Sequence, residues 1–138
     1  LMYTGKDYAD ELKQNLLAAK SEIVLVSPAL AGKTVATFLN TIKPCIPATV
    51  AVSVMTKSAD SIANTQHRTN RMQLIESLAD KGINVQQQDS SGPKCVLIDR
   101  KIVWYGSIDV LGSQSNDASF IRLESTKLAE ELYVCFGR

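Results

Sequence analysis

The chain has 138 residues, the length of one folded unit, and is expected to form a single domain over 1–138. With 45% hydrophobic and 21% charged residues it resembles an ordinary globular protein, long enough to bury roughly two-thirds of its unfolded surface. Fifteen Lys and Arg against fourteen Asp and Glu leave a formal charge of +1, which excludes a uniformly basic, DNA-coating protein but allows a local basic patch.

From the N-terminus, Thr4 reads as the cap of a first helix. Asp7 favours that helix's positive end, and Tyr8, Leu12, Leu16 and Ala19 follow at helical spacing. "EIVLV" (22–26) is a continuous apolar run, the pattern of a strand covered on both faces, and Ser27-Pro28 ends it. A second helix is expected over 33–42, with Val35, Phe38, Leu39 and Ile42 as its apolar stripe; Pro44 and Pro47 close it. "TVAVSV" (49–54) predicts a second buried strand. Residues 57–69 read as a long loop or the ragged start of a third helix, firm over 68–80, with Gly82 at its C-terminal cap. "INVQQ" predicts a third strand. "KCVLID" and "IVWYG" predict a hairpin turning at Arg100-Lys101, "SFIRLE" (119–124) one more strand, and Ser125 caps a last helix carrying Leu128 and Leu132. Strands alternating with helices imply βαβ units, and the late hairpin implies antiparallel pairing, so the expected class is α/β with a mixed sheet.

Cys45, Cys95 and Cys135 lie in apolar settings without CxxC spacing and read as small buried hydrophobes in a reducing, cytoplasmic compartment. One histidine, His67, and no paired ligands give no expectation of a metal, and no cofactor is expected. No apolar run approaches the about 20 residues of a membrane helix, and no signal peptide is seen. A start at Leu1 and an abrupt end at "CFGR" lead to the expectation of a C-terminal piece of a longer protein.

The stretch richest in chemistry is "SGPKCVLIDRKIVWYGSID" (91–109). Lys94 supplies a mobile ammonium, Gly106 lets backbone approach a ligand, and the Ser107 hydroxyl can bond a phosphate oxygen, which together make an anion site. Taken without further context, the same residues also read as a solvated strand lysine and a routine turn. Thr56 and Lys57, directly after a buried strand, stand where α/β sheets present ligand contacts. Arg68 and Arg71 approach the same side, whereas Arg71, Arg100 and Lys101 read as solvated surface charges. Trp104 and Tyr105 have the chemistry of base-stacking platforms, although one of them is expected in the core. His67 reads as an exposed residue at a helix start.

This stretch resembles the signature of the phospholipase D superfamily, HxKxxxxD, six residues, then GSxN. Lys94, four residues and Asp99 match K-x4-D, "RKIVWY" supplies the six, and Gly106-Ser107 match GS. With "EIVLVSP" and "ASFIRLESTKLAEELY" around it, the chain resembles the single-motif phospholipase D-like domain at the C-terminus of some bacterial helicase-type, DNA-processing proteins. The resemblance implies a mixed sheet with helices on both faces, βαβ units followed by a hairpin, and phosphate bound at one end of the sheet by Lys94, Ser107, Gly106, Lys57 and Thr56. It implies partners too: DNA ahead of RNA, a second copy of the chain, and N-terminal helicase-type domains of the same polypeptide, with no membrane. Two positions depart from the motif: its histidine falls at Gly92 and its asparagine at Asp109. In the family one histidine attacks phosphorus and a second, from another motif copy, protonates the leaving group; glycine does neither. Asp99 is left with two roles, orienting Lys94 or anchoring the hairpin turn. The expectation is a degenerate, non-catalytic module for backbone phosphate or dimerisation. The alternatives are an active metal-independent phosphodiesterase and a purely structural dimerisation domain.

Overall fold

Side-chain alternation along "EIVLV" decides the layering. In the computed structural model, which describes residues 1–89, 93–113 and 116–136, this segment forms β2 (Glu22–Val26). Its Ile23 and Leu25 enter one apolar cluster and its Val24 and Val26 another, as period-two geometry requires of a strand with both faces covered. Around it run β1 (Met2–Thr4), α1 (Tyr8–Leu17), α2 (Gly32–Thr37), β3 (Ala51–Lys57), α3 (Thr65–Asp80), β4 (Asn84–Gln88), β5 (Lys94–Ile98), β6 (Ile102–Gly106), β7 (Ser119–Glu124) and α4 (Thr126–Phe136). One seven-stranded sheet has the order β1-β7-β6-β5-β2-β3-β4. β2, β3 and β4 are parallel; every other neighbouring pair is antiparallel. Leu12 and Leu16 of α1, Val35 of α2 and Leu78 of α3 pack into the larger cluster, and Ala129 and Leu132 of α4 into the smaller. The sheet is therefore mixed and covered by helices on both faces.

The helix ends follow local chemistry. Asn64 caps α3 by accepting the His67 N–H at 2.9 Å, a start the polar run 57–69 did not advertise. At the other end Gly82 takes φ +83°, its N–H bonds the Ala79 carbonyl, and the Ile83 N–H bonds that of Leu78. This is a Schellman motif, completed by burial of Ile83 and Leu78 in the same cluster. Ser125 caps α4, its Oγ accepting the Leu128 N–H at 3.0 Å.

Four expectations are corrected. Thr4 does not cap a helix: residues 2–4 form an edge strand paired with β7, and the Asp7 carboxylate accepts the Thr4 N–H at 2.7 Å. A three-residue strand is too short to show periodicity, so only tertiary pairing reveals it. The helix expected over 33–42 is α-helical only to Thr37 and continues as a π-helical turn over Phe38–Ile42. The second buried strand runs 51–57, which places Thr56 and Lys57 inside it rather than after it. Of the cysteines only Cys95 is buried; Cys45 and Cys135 are exposed.

Candidate functional site

The ends of β2, β3 and β6 and the start of β5 meet at one edge of the sheet, because β5 runs antiparallel to β2 and β6. Two loops leave this edge, Ser27–Ala31 after β2 and Ser107–Leu111 after β6. A fully buried serine ties them together: Ser27 Oγ donates to the Ala29 carbonyl at 2.8 Å and accepts the Leu111 N–H at 3.1 Å. The Pro28 carbonyl accepts three donors, from Thr56 Oγ1 (3.1 Å), Arg71 Nη1 (3.0 Å) and the Lys57 N–H (3.3 Å).

Into this frame comes the one close charge pair of the motif. Lys94 Nζ lies 2.8 Å from Asp109 Oδ2, with the lysine side chain 37% and the aspartate 14% exposed. Asp109 Oδ1 also accepts the Ala29 N–H at 3.1 Å. Arg71 stands behind, its Nη1 bound to Thr56 Oγ1 (2.9 Å) and the Lys57 carbonyl (3.2 Å). Burial lowers the guanidinium from its ordinary value and the Asp109 carboxylate pushes it back up, which places that carboxylate within electrostatic reach. Lys94 and the Ala29 N–H thus meet this carboxylate directly, and the Arg71 guanidinium feels its charge. Sequence reasoning took Arg71 for a solvated charge. It is instead the staple of this corner, and its spacing of seven residues, two helical turns, from the buried Leu78 put it on the core-facing side of α3 and was the available signal.

The remaining motif residues divide. Gly106 is the cross-strand partner of Lys94. A Cβ there would sit 2.2 Å from the Ser119 carbonyl, so the close approach of β7 already requires glycine. Ser107 is exposed; its N–H donates to the Ser119 carbonyl (2.9 Å) and its Oγ accepts the Ser119 N–H (3.0 Å), with the hydroxyl proton still to donate. Thr56 is 2% exposed and its hydroxyl is spent on Pro28 and Arg71, so the phosphate contact expected there is replaced by an internal one. Lys57 is half-buried, and alternation turns its side chain to the face opposite Thr56. Gly92 lies outside the described residues.

Asp99 is elsewhere. Five residues along the strand from Lys94, roughly 16 Å at about 3.3 Å per residue, its carboxylate accepts the N–H groups of Lys20 (2.9 Å), Ser21 (2.8 Å) and Glu22 (3.1 Å) and the Ser21 hydroxyl. It anchors the turn and does not orient Lys94. Arg100 shares that far end, paired with Glu22 at 2.8 Å and lying 4.3 Å over the Tyr133 ring, whose hydroxyl bonds Glu22. Lys101 is exposed. Arg68 holds the carbonyls of Ile62 and Ala63, and His67 is exposed at the start of α3. Trp104 is fully buried, donating to Asn15 Oδ1 at 3.1 Å, while Tyr105 is 42% exposed. Among the described residues no group of three acidic, cysteine or histidine side chains is placed to hold a metal ion, and no helix is long and apolar enough to cross a membrane.

Comparison with known proteins gives the same picture. The family model described as "Cardiolipin synthase, PLD-like domain" matches residues 12–138. Among solved structures, NucT from Helicobacter pylori superposes with a TM-score of 0.68 at 14% identity, covering 99% of this chain and 92% of that one. Nuc from Salmonella typhimurium, a phospholipase D family member, gives 0.65 at 16%, covering 98% and 90%. TrmBL2, an archaeal chromatin protein described with a mode of DNA binding, gives 0.64 at 14%, and this chain covers 99% of itself but 50% of TrmBL2. No curated protein matches by sequence. At these identities the superpositions establish a shared fold, and the family model, matched along nearly the whole length, establishes descent: the chain belongs to the phospholipase D-like domain family.

Proposed function

We propose that this domain is a degenerate, non-catalytic module of a larger, helicase-type nucleic-acid-processing protein, holding backbone phosphate without cutting it. The observation that carries the reading is the 2.8 Å pair between Lys94 and Asp109. The motif lysine is present, but a carboxylate already occupies its ammonium. An ionised carboxylate only accepts, so Asp109 cannot donate to a phosphate oxygen as an amide would, and it repels the anion. Position 92 offers no nucleophile. Lys94 and Arg71 nevertheless outnumber Asp109, which leaves a local positive excess suited to weak contact with a phosphate chain. The DNA binding described for the structurally similar TrmBL2 supports DNA as the ligand.

Dimerisation, the second half of the reading, is favoured by a row of exposed apolar side chains. Met2, Ile121 and Tyr105 are cross-strand partners on β1, β7 and β6 and are 67%, 46% and 42% exposed.

The test is titration of the purified chain with duplex and single-stranded DNA at low salt, with light scattering alongside. Binding is expected to weaken steeply with salt, and Lys94→Ala to flatten the logarithmic salt slope by about one. No binding at low salt sinks the nucleic-acid half, and a strict monomer at high concentration sinks the dimer. Metal-independent cleavage that disappears in Lys94→Ala would establish the enzyme instead.

A further inference from the structure

The larger apolar cluster is not sealed. Where α1 diverges from α2 and the π-helical turn, a cavity of about 360 Å³ opens to solvent, within the range of small-molecule sites. Leu12 and Leu16 of α1, Leu25 of β2, Phe38 of the π turn and Leu111 form its walls. All five are also buried members of the core cluster, so the cavity is walled by the core itself. Two lysines line it as well, Lys13 on α1 and Lys33 on α2, and among the described residues no carboxylate does. Neither lysine makes an ion pair among the described residues. Lys13 is half-buried and Lys33 exposed, the disposition of lysine stems that run along an apolar wall and keep their ammonium groups in water.

The π turn is the second feature. It takes over from the α-geometry of Gly32–Thr37, and two of its residues, Phe38 and Ile42, line the cavity. π segments persist where a function needs the displaced geometry.

We infer that this cavity binds a single-chain fatty carboxylate of medium length, its tail among Leu12, Leu25 and Phe38 and its head between Lys13 and Lys33. At about 30 Å³ for a group the size of a water molecule, the volume takes roughly ten to twelve carbons. The polarity of the site selects the head: unpaired ammonium groups at the mouth of an apolar cavity favour an anion over a neutral or cationic end. This inference does not rest on the DNA reading: the cavity shares Val110 and Leu111 with the loop that carries Asp109, but neither Lys94 nor Asp109 lines it.

The probe is decanoate, titrated below its micelle concentration into the intact chain and followed by amide chemical shifts. Saturable one-to-one binding is expected, with shifts confined to residues 8–16, 33–42 and 110–111. Decanol should bind at least about tenfold more weakly, the scale of one charge-assisted contact. Lys13→Gln with Lys33→Gln should erase that preference while leaving decanol binding unchanged; neither lysine makes an ion pair among the described residues, so both changes should keep the fold. The idea fails if decanoate does not saturate, if decanol binds equally well, or if the same amides shift with protein concentration alone, which would mark the cavity as a contact between copies.

Discussion

Two aspartates, Asp99 and Asp109, hold opposite ends of the β5–β6 hairpin by different means. Asp109 meets an ammonium and one amide, so its partner is a charge. Asp99 meets three backbone N–H groups and a hydroxyl, so its partners are the end of α1 and the start of β2. Desolvation pushes the Asp99 carboxyl up, but the donors from Ser21, Glu22 and Lys20 outweigh it and hold the group below its ordinary value. A carboxyl whose pKa is lower folded than unfolded adds stability above the unfolded value, about 3.9, and loses it as pH falls through the folded one. Asp99→Asn isolates that charge. Asparagine keeps an acceptor and tolerates the φ of +56° found here. The melting temperature of the variant should fall below the parent's at pH 7, and the gap should close as pH drops below about 4. A gap that persists unchanged at pH 2 to 3 would show that geometry, not charge, sets the contribution of Asp99. The motif showed that an aspartate belongs at this position but not which amides it serves, because Lys20–Glu22 lie 77 to 79 residues away in sequence.

Among the elements, those whose boundaries rest on local chemistry were legible in the sequence and those that rest on distant partners were not. Gly82, Ser125 and the continuous apolar run in 22–26 announce their structures directly. The strand at 2–4 pairs with the edge that β7 offers, and the π turn over Phe38–Ile42 lines a cavity with residues from α1, β2 and 110–111. Gly82 permits a clean measurement of the local kind. A Cβ at this position meets no atom within 4 Å, yet φ is +83°. Gly82→Ala therefore adds backbone strain without a clash and should destabilise the protein by about 1 kcal/mol. Gly82→Asn, better suited to the left-handed region, should recover part of it. Equilibrium denaturation of the three proteins gives the order Gly, Asn, Ala. If Ala equals Gly, the cap is not what ends α3.

At the scale of the molecule, the sheet brings residues 27–29, 56, 71, 94 and 106–109 to one edge, an assembly the sequence indicated through its motif but could not complete. Lys94, Gly106, Ser107 and Asp109 were singled out through the resemblance to the family motif, not by spacing alone. Ser27, the Ala29 amide and Arg71 were not, since a serine before proline and an arginine on a helix carry no motif of their own. The assembled corner bears on the proposal that this domain does not cut. Restoring histidine alone, by Gly92→His, would supply a nucleophile two residues before a lysine still held by Asp109. Changing Asp109→Asn alone would free the ammonium but leave nothing to attack phosphorus. The asparagine oxygen can keep the Ala29 N–H bond that Asp109 now accepts, so the loop should survive the exchange. Only the double variant gains both functions, and its resemblance to active single-motif members implies that two copies must meet, one histidine attacking and the other protonating the leaving group. Hydrolysis of a chromogenic phosphodiester without added metal should therefore be absent from the parent and both single variants. It should appear in the double variant, with a specific rate that rises with protein concentration until the dimer saturates. If Gly92→His by itself reached the rate of the pair, the Lys94–Asp109 contact would not be the lock on this site. If the parent cleaved, the domain would be an enzyme by a route that does not use position 92.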